Sequence, residues 1–342
     1  MNQTRLGSLG EGVCLLCALG FCGLILFQCL TRAAAPLGAV VLAGAVCAGV
    51  VLWLGGRVLL PTGTALAGLF LLRFAIALGV IFLVGGQPVQ DFQTMYAAAQ
   101  ELARGEHGYL DQLYFFNWAY QTGFVAYEAL VLTLFGPGQL PLQIMNALWM
   151  AGTGCLVYLL ALEFLPRSAA QRIALLYAVY PAPYFLAAVL TNQHLAVFLF
   201  YLAFYLLVRP SVPRLLAAGG LLALGNAVRA LAAVLLLAAV LWLLIGGLLN
   251  KERGRDCLMR CAALAGTYFL VFALLSFGIK ASGMNPEGLS NNQPMWKFVL
   301  GLCQESNGSW NRADYDAYLS LPTQEADAAM REAVKDRLSA GP

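Results

Sequence analysis

Charge is scarce in this sequence. Only 11% of its 342 residues are Asp, Glu, Lys or Arg, and the formal net charge is +3. The basic residues are scattered rather than clustered, so nucleic acid is not an implied partner. The chain also lacks an internal repeat of solenoid or propeller period and a low-complexity linker. These absences argue against a nucleic-acid-binding protein, a repeat protein and a string of linked domains.

The cysteines provide no disulfide or metal framework. Of the nine, eight lie inside or at the edge of apolar runs, and only Cys303 lies in a polar region. Cys14 and Cys17 have CxxC spacing, but they lie in an apolar run and no His stands near them to complete a metal site. We therefore interpret the apolar cysteines as small hydrophobic residues.

What the chain has in abundance is apolar residues. They make up 61% of the sequence, and the mean hydropathy is +0.75. Most of the apolar runs are long enough to cross a hydrocarbon layer of roughly 30 Å. The predicted fold is an all-α, polytopic membrane helix bundle with about nine spans, at 13–30, 37–55, 66–84, 141–164, 173–190, 193–208, 214–227, 229–249 and 260–281.

Basic residues predict the orientation of these spans in the cell membrane. With a cytoplasmic N-terminus, the pair Arg167 and Arg172 and the cluster Lys251–Arg260 all face the cytoplasm, as the positive-inside rule favours. Arg32 is the main exception. The predicted organisation is a membrane domain over 1–281, whose loop 85–140 is external, followed by an external tail over 282–342.

This orientation depends on the apolar stretch Thr122–Phe135. If it crossed the membrane, every later basic loop would move to the outside. Because its 14 residues are short for a crossing, we predict a helix that lies at the outer surface.

One polar segment, Gly85–Tyr120, interrupts the apolar pattern and carries Asp91 shortly after a long apolar run. Asp91, Met95, Ala98 and Leu102 recur at helical spacing, which predicts an amphipathic helix along the membrane surface. At the start of that helix the macrodipole stabilises a carboxylate, which could accept a proton or bind a cation. The alternative is an ordinary helix N-cap at a loop entrance.

Four stretches carry a family resemblance. They are QPVQDFQTMYAAAQELARGEHGYLDQLYFFNWAYQTGFVAYEALVLTLFG, YAVYPAPYFLAAVLTNQH, GLLALGNAVRALAAVLLLAAVLWLL and MWKFVLGLCQESNGSWNRADY. Their order and spacing resemble the GT-C-fold membrane glycosyltransferases, above all the protein mannosyltransferase-like family 39 and its aminoarabinose-transferring relatives. The resemblance implies that a sugar is transferred from a polyprenyl-phosphate donor to an acceptor on the external face, with inversion at the anomeric carbon.

In that family the acid of the first external loop is the proposed general base, and Asp91 matches it. A departing lipid phosphate develops negative charge and requires a fixed cation, for which Arg229 and Lys297 are the candidates. Arg229 has an alternative role as a snorkelling residue at a helix end, and Lys297 one as an interfacial anchor. The remaining predicted substrate-binding residues are Tyr96, Asn117, Tyr120, Gln121, Asn192 and His194, although His194 also fits a satisfied interfacial histidine.

The chain departs from the family in several places. Phe92 follows Asp91 where many relatives carry a second acid, so we predict no metal and no other cofactor. Asn117 and Trp118 stand where aminoarabinose transferases have an acid and a lysine, which leaves the acceptor unknown. Relatives generally continue with further spans, so a C-terminally truncated member is one interpretation.

Other function classes remain open at this stage. A transporter or flippase of lipid-linked substrates is one alternative, although it would be expected to show broken helices at matching positions of two repeats. A non-catalytic membrane protein is the other. Two further ionisable residues also need an explanation: Glu128 is predicted to be solvated or snorkelling, and Arg73 lies mid-span and requires a partner that the sequence does not name.

Overall fold

The computed structural model describes residues 59–321 and 323–339, and these form helices and turns without a strand. The predicted spans 13–30 and 37–55 and the cytoplasmic N-terminus lie outside the described residues. In chain order the helices are α1 (Thr62–Val84), α2 (Asp91–Ala103), α3 (Leu113–Asn117), α4 (Thr122–Phe135), α5 (Leu140–Phe164), α6 (Arg167–Val179), α7 (Ala182–Ala188), α8 (Gln193–Val208), α9 (Val212–Val228), α10 (Ala232–Leu249), α11 (Gly254–Ala281), α12 (Trp296–Gly301), α13 (Arg312–Tyr318) and α14 (Thr323–Ser339).

Within the described residues, four helices are long and apolar enough to cross a membrane: α1, α5, α10 and α11. The apolar helices α8 and α9 are shorter, at 16 and 17 residues. The all-α prediction is therefore confirmed, whereas the predicted number of nine spans is not. Packing runs from helix to helix across the bundle: α1 contacts α5, α5 contacts α8, α8 contacts α9, α9 contacts α11, and α11 contacts α10.

The predicted span 173–190 is wrong as one continuous helix. α6 ends at Val179, and α7 begins at Ala182. Tyr180 adopts an extended conformation, with φ −67° and ψ 119°, because the ring of the following proline disfavours the helical region for the residue before it. Pro181 and Pro183 therefore divide this apolar stretch into two short pieces.

The stretch Arg214–Leu249 is divided into two helices near the predicted boundary: α9 ends at Val228 and α10 begins at Ala232. Gly225 stays helical and allows close packing, since a Cβ there would lie 2.3 Å from a ring carbon of Phe200. Asn226, in the last turn of α9, contacts the first residue of α10. Its Oδ1 accepts a hydrogen bond of 3.0 Å from the backbone N–H of Ala232. Arg229 is thus presented on non-helical backbone between two apolar helices.

Hydrogen bonds join the segment between α1 and α5 to the start of the tail. α4 has the predicted bounds Thr122–Phe135 and packs chiefly on α2. The side-chain amide of Asn285 donates to the Phe115 carbonyl and to the Thr122 hydroxyl, at 3.0 and 2.9 Å. The backbone N–H of Tyr120 donates to the carbonyl of Ser290. These bonds hold the start of the tail against the loop that carries the candidate site.

Candidate functional site

A polar cavity of about 330 Å³ opens where α2, the α9–α10 break and the tail helix α12 meet. Six of the nine residues predicted from the sequence line it: Asp91, Tyr120, Gln121, Asn192, Arg229 and Lys297. They come from five separate parts of the chain, so the fold brings together what the sequence keeps far apart.

Asp91 is the first residue of α2, and its side chain is exposed in the cavity. The helix N-cap is Gln90 and not Asp91, so the alternative N-cap interpretation does not describe this residue. Among the described residues, no hydrogen bond or ion pair involves the Asp91 carboxylate. The positive end of the helix dipole stabilises its charge, while its oxygens stay available to a ligand.

The backbone next to two of these residues is unusual. Gln90, beside Asp91, has φ 52°, and Leu190, two residues before Asn192, has φ 56°. Positive φ values are uncommon for residues other than glycine, and residues in sparsely populated regions cost on the order of 1–3 kcal/mol each. Such outliers cluster at ligand sites, where the surrounding structure holds them in place. Both flank residues that line the cavity.

Arg229 is half-buried and lies on the break between α9 and α10. Its Nη1 donates to Oδ1 of Asn192 at 2.6 Å, and Nδ2 of Asn192 donates to the carbonyl of Val228 at 3.1 Å. Asn192 therefore holds the guanidinium in place without neutralising it. No carboxylate forms an ion pair with Arg229 among the residues that the structure describes, so most of its donors remain free for an anion.

Lys297 reaches the same cavity from α12 of the tail. It is exposed, and it makes no ion pair with any described carboxylate. The neighbouring Trp296 is only 2% exposed and packs in an apolar cluster of the tail. The alternative of an exposed interfacial pair therefore does not fit Trp296, whereas Lys297 contributes a second unpaired cation to the cavity.

Tyr120 links the two charged sides of the cavity electrostatically. Burial raises the pKa of its phenol, the negative charge of Asp91 raises it further, and the positive charge of Arg229 opposes the shift. The phenol is therefore protonated at neutral pH and can donate a hydrogen bond. Asp91, Tyr120 and Arg229 all line this one cavity, so the carboxylate and the guanidinium are not at opposite faces of the bundle.

Three predicted substrate-binding residues do not line this cavity. Tyr96 is 8% exposed and lies against α4, since five residues from Asp91 correspond to a different helix face. Asn117 is buried, and its Oδ1 accepts from Nε2 of Gln293 at 3.3 Å. His194 lines a separate small cavity. These three residues support the walls around the site rather than facing it.

Several lining residues were missed. Gln90 and Gln193 are polar residues of its lining, and Met95 and Leu231 are apolar ones. Met95 could have been found, because it lies one helical turn after Asp91 on the same face. Gln193 is adjacent to two predicted residues in the run TNQH, but nothing in that run reveals which of the four side chains points outward.

The prediction for Glu128 was wrong. Its side chain is 0% exposed, and neither carboxylate oxygen has a hydrogen-bond partner. Burial raises its pKa well above the usual range. The reason is that α4 packs beneath α2, so the residue faces protein and not water.

A larger cavity of about 630 Å³, lined almost entirely by apolar side chains, lies beside the polar one. Its wall includes Val228, which precedes Arg229, and Gly123, which follows Gln121 by two residues. Gly123 lies so close to α9 that a Cβ would be 1.9 Å from the Ala227 carbonyl oxygen. Further wall residues are Tyr127, Trp149, Leu195, Leu199, Leu224 and Leu274.

Residues 124–277 match the sequence family described as dolichyl-phosphate-mannose-protein mannosyltransferase. This match confirms the predicted resemblance and supports a membrane glycosyltransferase of the GT-C type. It runs from α4 to α11 and covers somewhat less than half of the chain. It includes Asn192 and Arg229, while Asp91 and Lys297 lie outside it. No curated protein matches the chain.

Proposed function

We propose that this protein transfers a sugar from a polyprenyl-phosphate donor to an acceptor on the external face of the cell membrane, with inversion at the anomeric carbon. The observation that carries the proposal is the polar cavity, where an unpaired carboxylate and two unpaired cations line one space of about 330 Å³. That size lies within the range of small-molecule sites.

Asp91 acts as the general base. Its carboxylate removes the proton of the acceptor hydroxyl while the hydroxyl oxygen attacks the anomeric carbon. Exposure lets the acceptor approach from outside, and the lack of an internal partner leaves the lone pairs available. In the same displacement the bond from the anomeric carbon to the phosphate oxygen breaks, and the phosphate leaves with the electron pair. One displacement of this kind inverts the configuration.

Arg229 and Lys297 hold the donor phosphate. The guanidinium is fixed by Asn192, so it need not reorganise as negative charge grows on the leaving group. Lys297 adds a flexible point charge from the tail. Both cations and the base line the same cavity, so the phosphate and the acceptor can be held on either side of the sugar.

The apolar cavity accommodates the start of the lipid chain. A polyprenyl phosphate has a charged end joined directly to a hydrocarbon, and the two cavities offer these two environments side by side. Because Val228 and Arg229 are consecutive, hydrocarbon that enters the apolar cavity meets the cation at its polar end. The amides of Gln121, Asn192 and Gln193 are suited to hydrogen bonds with sugar hydroxyls.

The external location of the reaction rests on the charge pattern. The basic loop residues Arg167 and Arg172 and the cluster Lys251–Arg260 belong inside by the positive-inside rule. The loop that carries Asp91 and the tail that carries Lys297 then lie outside. A cysteine introduced at position 106 should therefore react with a membrane-impermeant thiol reagent added outside intact cells. Labelling from the inside alone would overturn this orientation.

The proposal is tested with the purified full chain in lipid nanodiscs. A series of polyprenyl-phosphate hexoses is supplied, and release of the polyprenyl phosphate is measured with water-soluble and lipid acceptors. Transfer that is lost in Asp91→Asn and retained in Asp111→Asn supports the assignment, because Asp111 is an exposed acid of the same segment that does not line the cavity. Movement of the donor between leaflets without its consumption would instead identify a flippase.

A further inference from the structure

The tail contributes Lys297 to the polar cavity, and amide side chains fix the tail to α3 shortly before that residue. Asn117 is the last residue of α3, and its Oδ1 accepts a hydrogen bond of 3.3 Å from Nε2 of Gln293. The carbonyl of Asn117 accepts a second bond, of 3.1 Å, from the backbone N–H of Asn292. Nδ2 of Asn292 donates to the carbonyl of Phe116 at 2.9 Å. We call Asn117, Asn292 and Gln293 the amide clamp.

The side chains at the centre of the clamp are buried. Asn117 and Gln293 are only 3% and 2% exposed, so bulk water does not compete for the bond between them. Another buried amide, that of Asn285, joins the same two parts of the chain by donating to Phe115 and Thr122. Because hydrogen bonds are directional, such a network specifies the relative position of the parts that it joins.

The clamp lies one helical turn or less along the chain from residues of both cavity walls. Tyr120 follows Asn117 by three residues, and Lys297 follows Gln293 by four. Both Tyr120 and Lys297 line the polar cavity. The backbone N–H of Tyr120 also donates to the carbonyl of Ser290 in the tail, at 2.9 Å. The clamp therefore sets the separation between the wall that includes Tyr120 and the wall that carries Lys297.

Folding stability alone does not account for the amide of Gln293. Its Oε1 is buried without a hydrogen-bond partner, and an unpartnered buried acceptor is destabilising. The tail also has an apolar cluster of its own, which includes Trp296, Val299 and Leu319, so the tail helices pack on one another without the clamp. What the amide adds is a bond of fixed direction to α3.

We propose that the amide clamp is a positioning device for donor binding, which holds α12 so that the ammonium group of Lys297 shares the cavity with Arg229. Lys297 is exposed and forms no ion pair with a described carboxylate, so its place depends on the backbone that carries it. A long, flexible side chain binds a phosphate well only when that backbone is held near the site. The inference rests on the proposed function, because it takes Lys297 as a ligand of the donor phosphate.

The test is a double-mutant cycle on the full chain in lipid nanodiscs. Polyprenyl phosphate without a sugar is the probe, because it carries the phosphate whatever the sugar is. Lys297→Met should weaken its binding by about 10–100-fold, the range for a lost hydrogen bond to a charged group. Gln293→Met keeps the length of the side chain but removes the amide, and it should weaken binding by about 3–10-fold. In the Lys297→Met background, Gln293→Met should have no further effect.

Gln112→Met is the matched control for the cycle. Gln112 is exposed beside α3 and lies outside the cavity, so this substitution should leave binding unchanged. Hydrogen–deuterium exchange measures the clamp without any ligand. The backbone N–H groups of Asn292 and Tyr120 cross between the tail and the segment that carries α3, and both should exchange faster in Gln293→Met. If that variant fails to fold, Asn292→Ala takes its place, because Asn292 is only half-buried.

Three results would overturn the inference. One is an equal loss of binding from Gln293→Met in the native and Lys297→Met backgrounds, since the clamp would then not act through Lys297. Another is unchanged exchange and binding in the clamp variants. The last is native binding in Lys297→Met. If Arg229→Met still weakens binding in that case, the phosphate site of the proposed function stands and only the role of the clamp fails. If neither cation matters, the proposed function fails as well.

Discussion

Charged side chains are paired around Arg337 in the tail and unpaired in the polar cavity of the candidate site. In the tail, Arg337 forms an ion pair with Asp314 at 2.6 Å and also donates to the Val299 carbonyl. In the cavity, Arg229 is held only by the neutral Asn192, and Asp91 stands unpaired across from it. A charge that is neutralised by a partner within the chain stabilises the fold, whereas a charge held in place without neutralisation is available to a ligand. On this comparison we predict that Arg337 is a structural ion and that Arg229 and Asp91 are functional ones.

The largest expected effect tests the functional side of this comparison. Asp91→Asn keeps the shape of the side chain but removes its ability to accept a proton at useful strength. We expect transfer to fall by about 10²–10⁴-fold, the usual contribution of a general base, while the binding of a polyprenyl-phosphate sugar stays within a factor of a few. Steady-state turnover and equilibrium donor binding are measured on the same preparation.

Asp111→Asn is the matched control for this measurement. Asp111 belongs to the same segment, Gly85–Tyr120, and is exposed, but it lies outside the cavity. Its substitution should leave turnover unchanged. Full activity in Asp91→Asn, or an equal loss in both variants, would falsify the assignment of Asp91 as the base.

The second prediction compares the two arginines directly. Arg229→Ala should weaken donor binding and lower turnover by about 10²–10³-fold, because a preorganised cation is lost from the leaving-group side. The unfolding temperature should change little. Arg337→Ala should do the reverse, since it leaves Asp314 without its partner and costs about 1–3 kcal/mol of folding stability. Turnover per folded molecule should remain normal.

Thermal unfolding and turnover, measured for both variants, decide between these outcomes. If Arg229→Ala destabilises the fold as much as Arg337→Ala does and leaves donor binding intact, Arg229 is a structural arginine and the comparison fails. A partial recovery of binding in Arg229→Lys would indicate that charge contributes as well as guanidinium geometry.

Features set by local sequence could be predicted, whereas features set by contacts between distant parts of the chain could not. Long apolar runs give helices, and α8 and α4 have the predicted bounds. The break after Val228 falls next to the predicted boundary, while Gly225 stays in the helix and packs closely against Phe200. That contact between two helices leaves no mark on the local pattern.

The candidate site shows the same limit. Asp91 and Arg229 were identified by their unusual position beside apolar runs and by the family resemblance. Tyr96 was chosen for its closeness to Asp91 in sequence, yet five residues along a helix turn the side chain to another face. Glu128 was misjudged because burial of α4 under α2 is a tertiary property. The sequence therefore showed which residues are polar, but it did not show the direction in which each side chain points in the fold.

The third prediction concerns the close packing of Gly123 against α9, next to the apolar cavity. Gly123→Ala adds a Cβ that would lie 1.9 Å from a backbone oxygen of α9. Backbone must shift to relieve this clash, which costs about 1–3 kcal/mol and displaces the segment that precedes Arg229. We expect a lower unfolding temperature and weaker donor binding. Gly63→Ala on α1 is the control, because a Cβ there meets nothing within 4 Å, and equal effects of the two substitutions would contradict this interpretation.

The smallest expected effect sharpens the comparison with a third kind of charge site, an acid that is unpaired in a closed interior. Burial raises the pKa of Glu128 well above its usual range, so the folded chain binds its proton more tightly than the unfolded chain does. The stability from this proton is complete below the unfolded pKa of about 4.3 and is lost as pH rises through the folded pKa.

Glu128→Gln, which cannot ionise, should therefore flatten the fall of unfolding temperature with rising pH. Glu305→Gln, a substitution at an exposed acid, should leave that slope unchanged. The measurement is the unfolding temperature of the three proteins across a pH series from acidic to mildly alkaline. An unaltered slope in Glu128→Gln would mean that the buried carboxyl gains a partner or water when it ionises. The buried Glu128 and the exposed Asp91 would then not differ in the cost of carrying an unpaired charge.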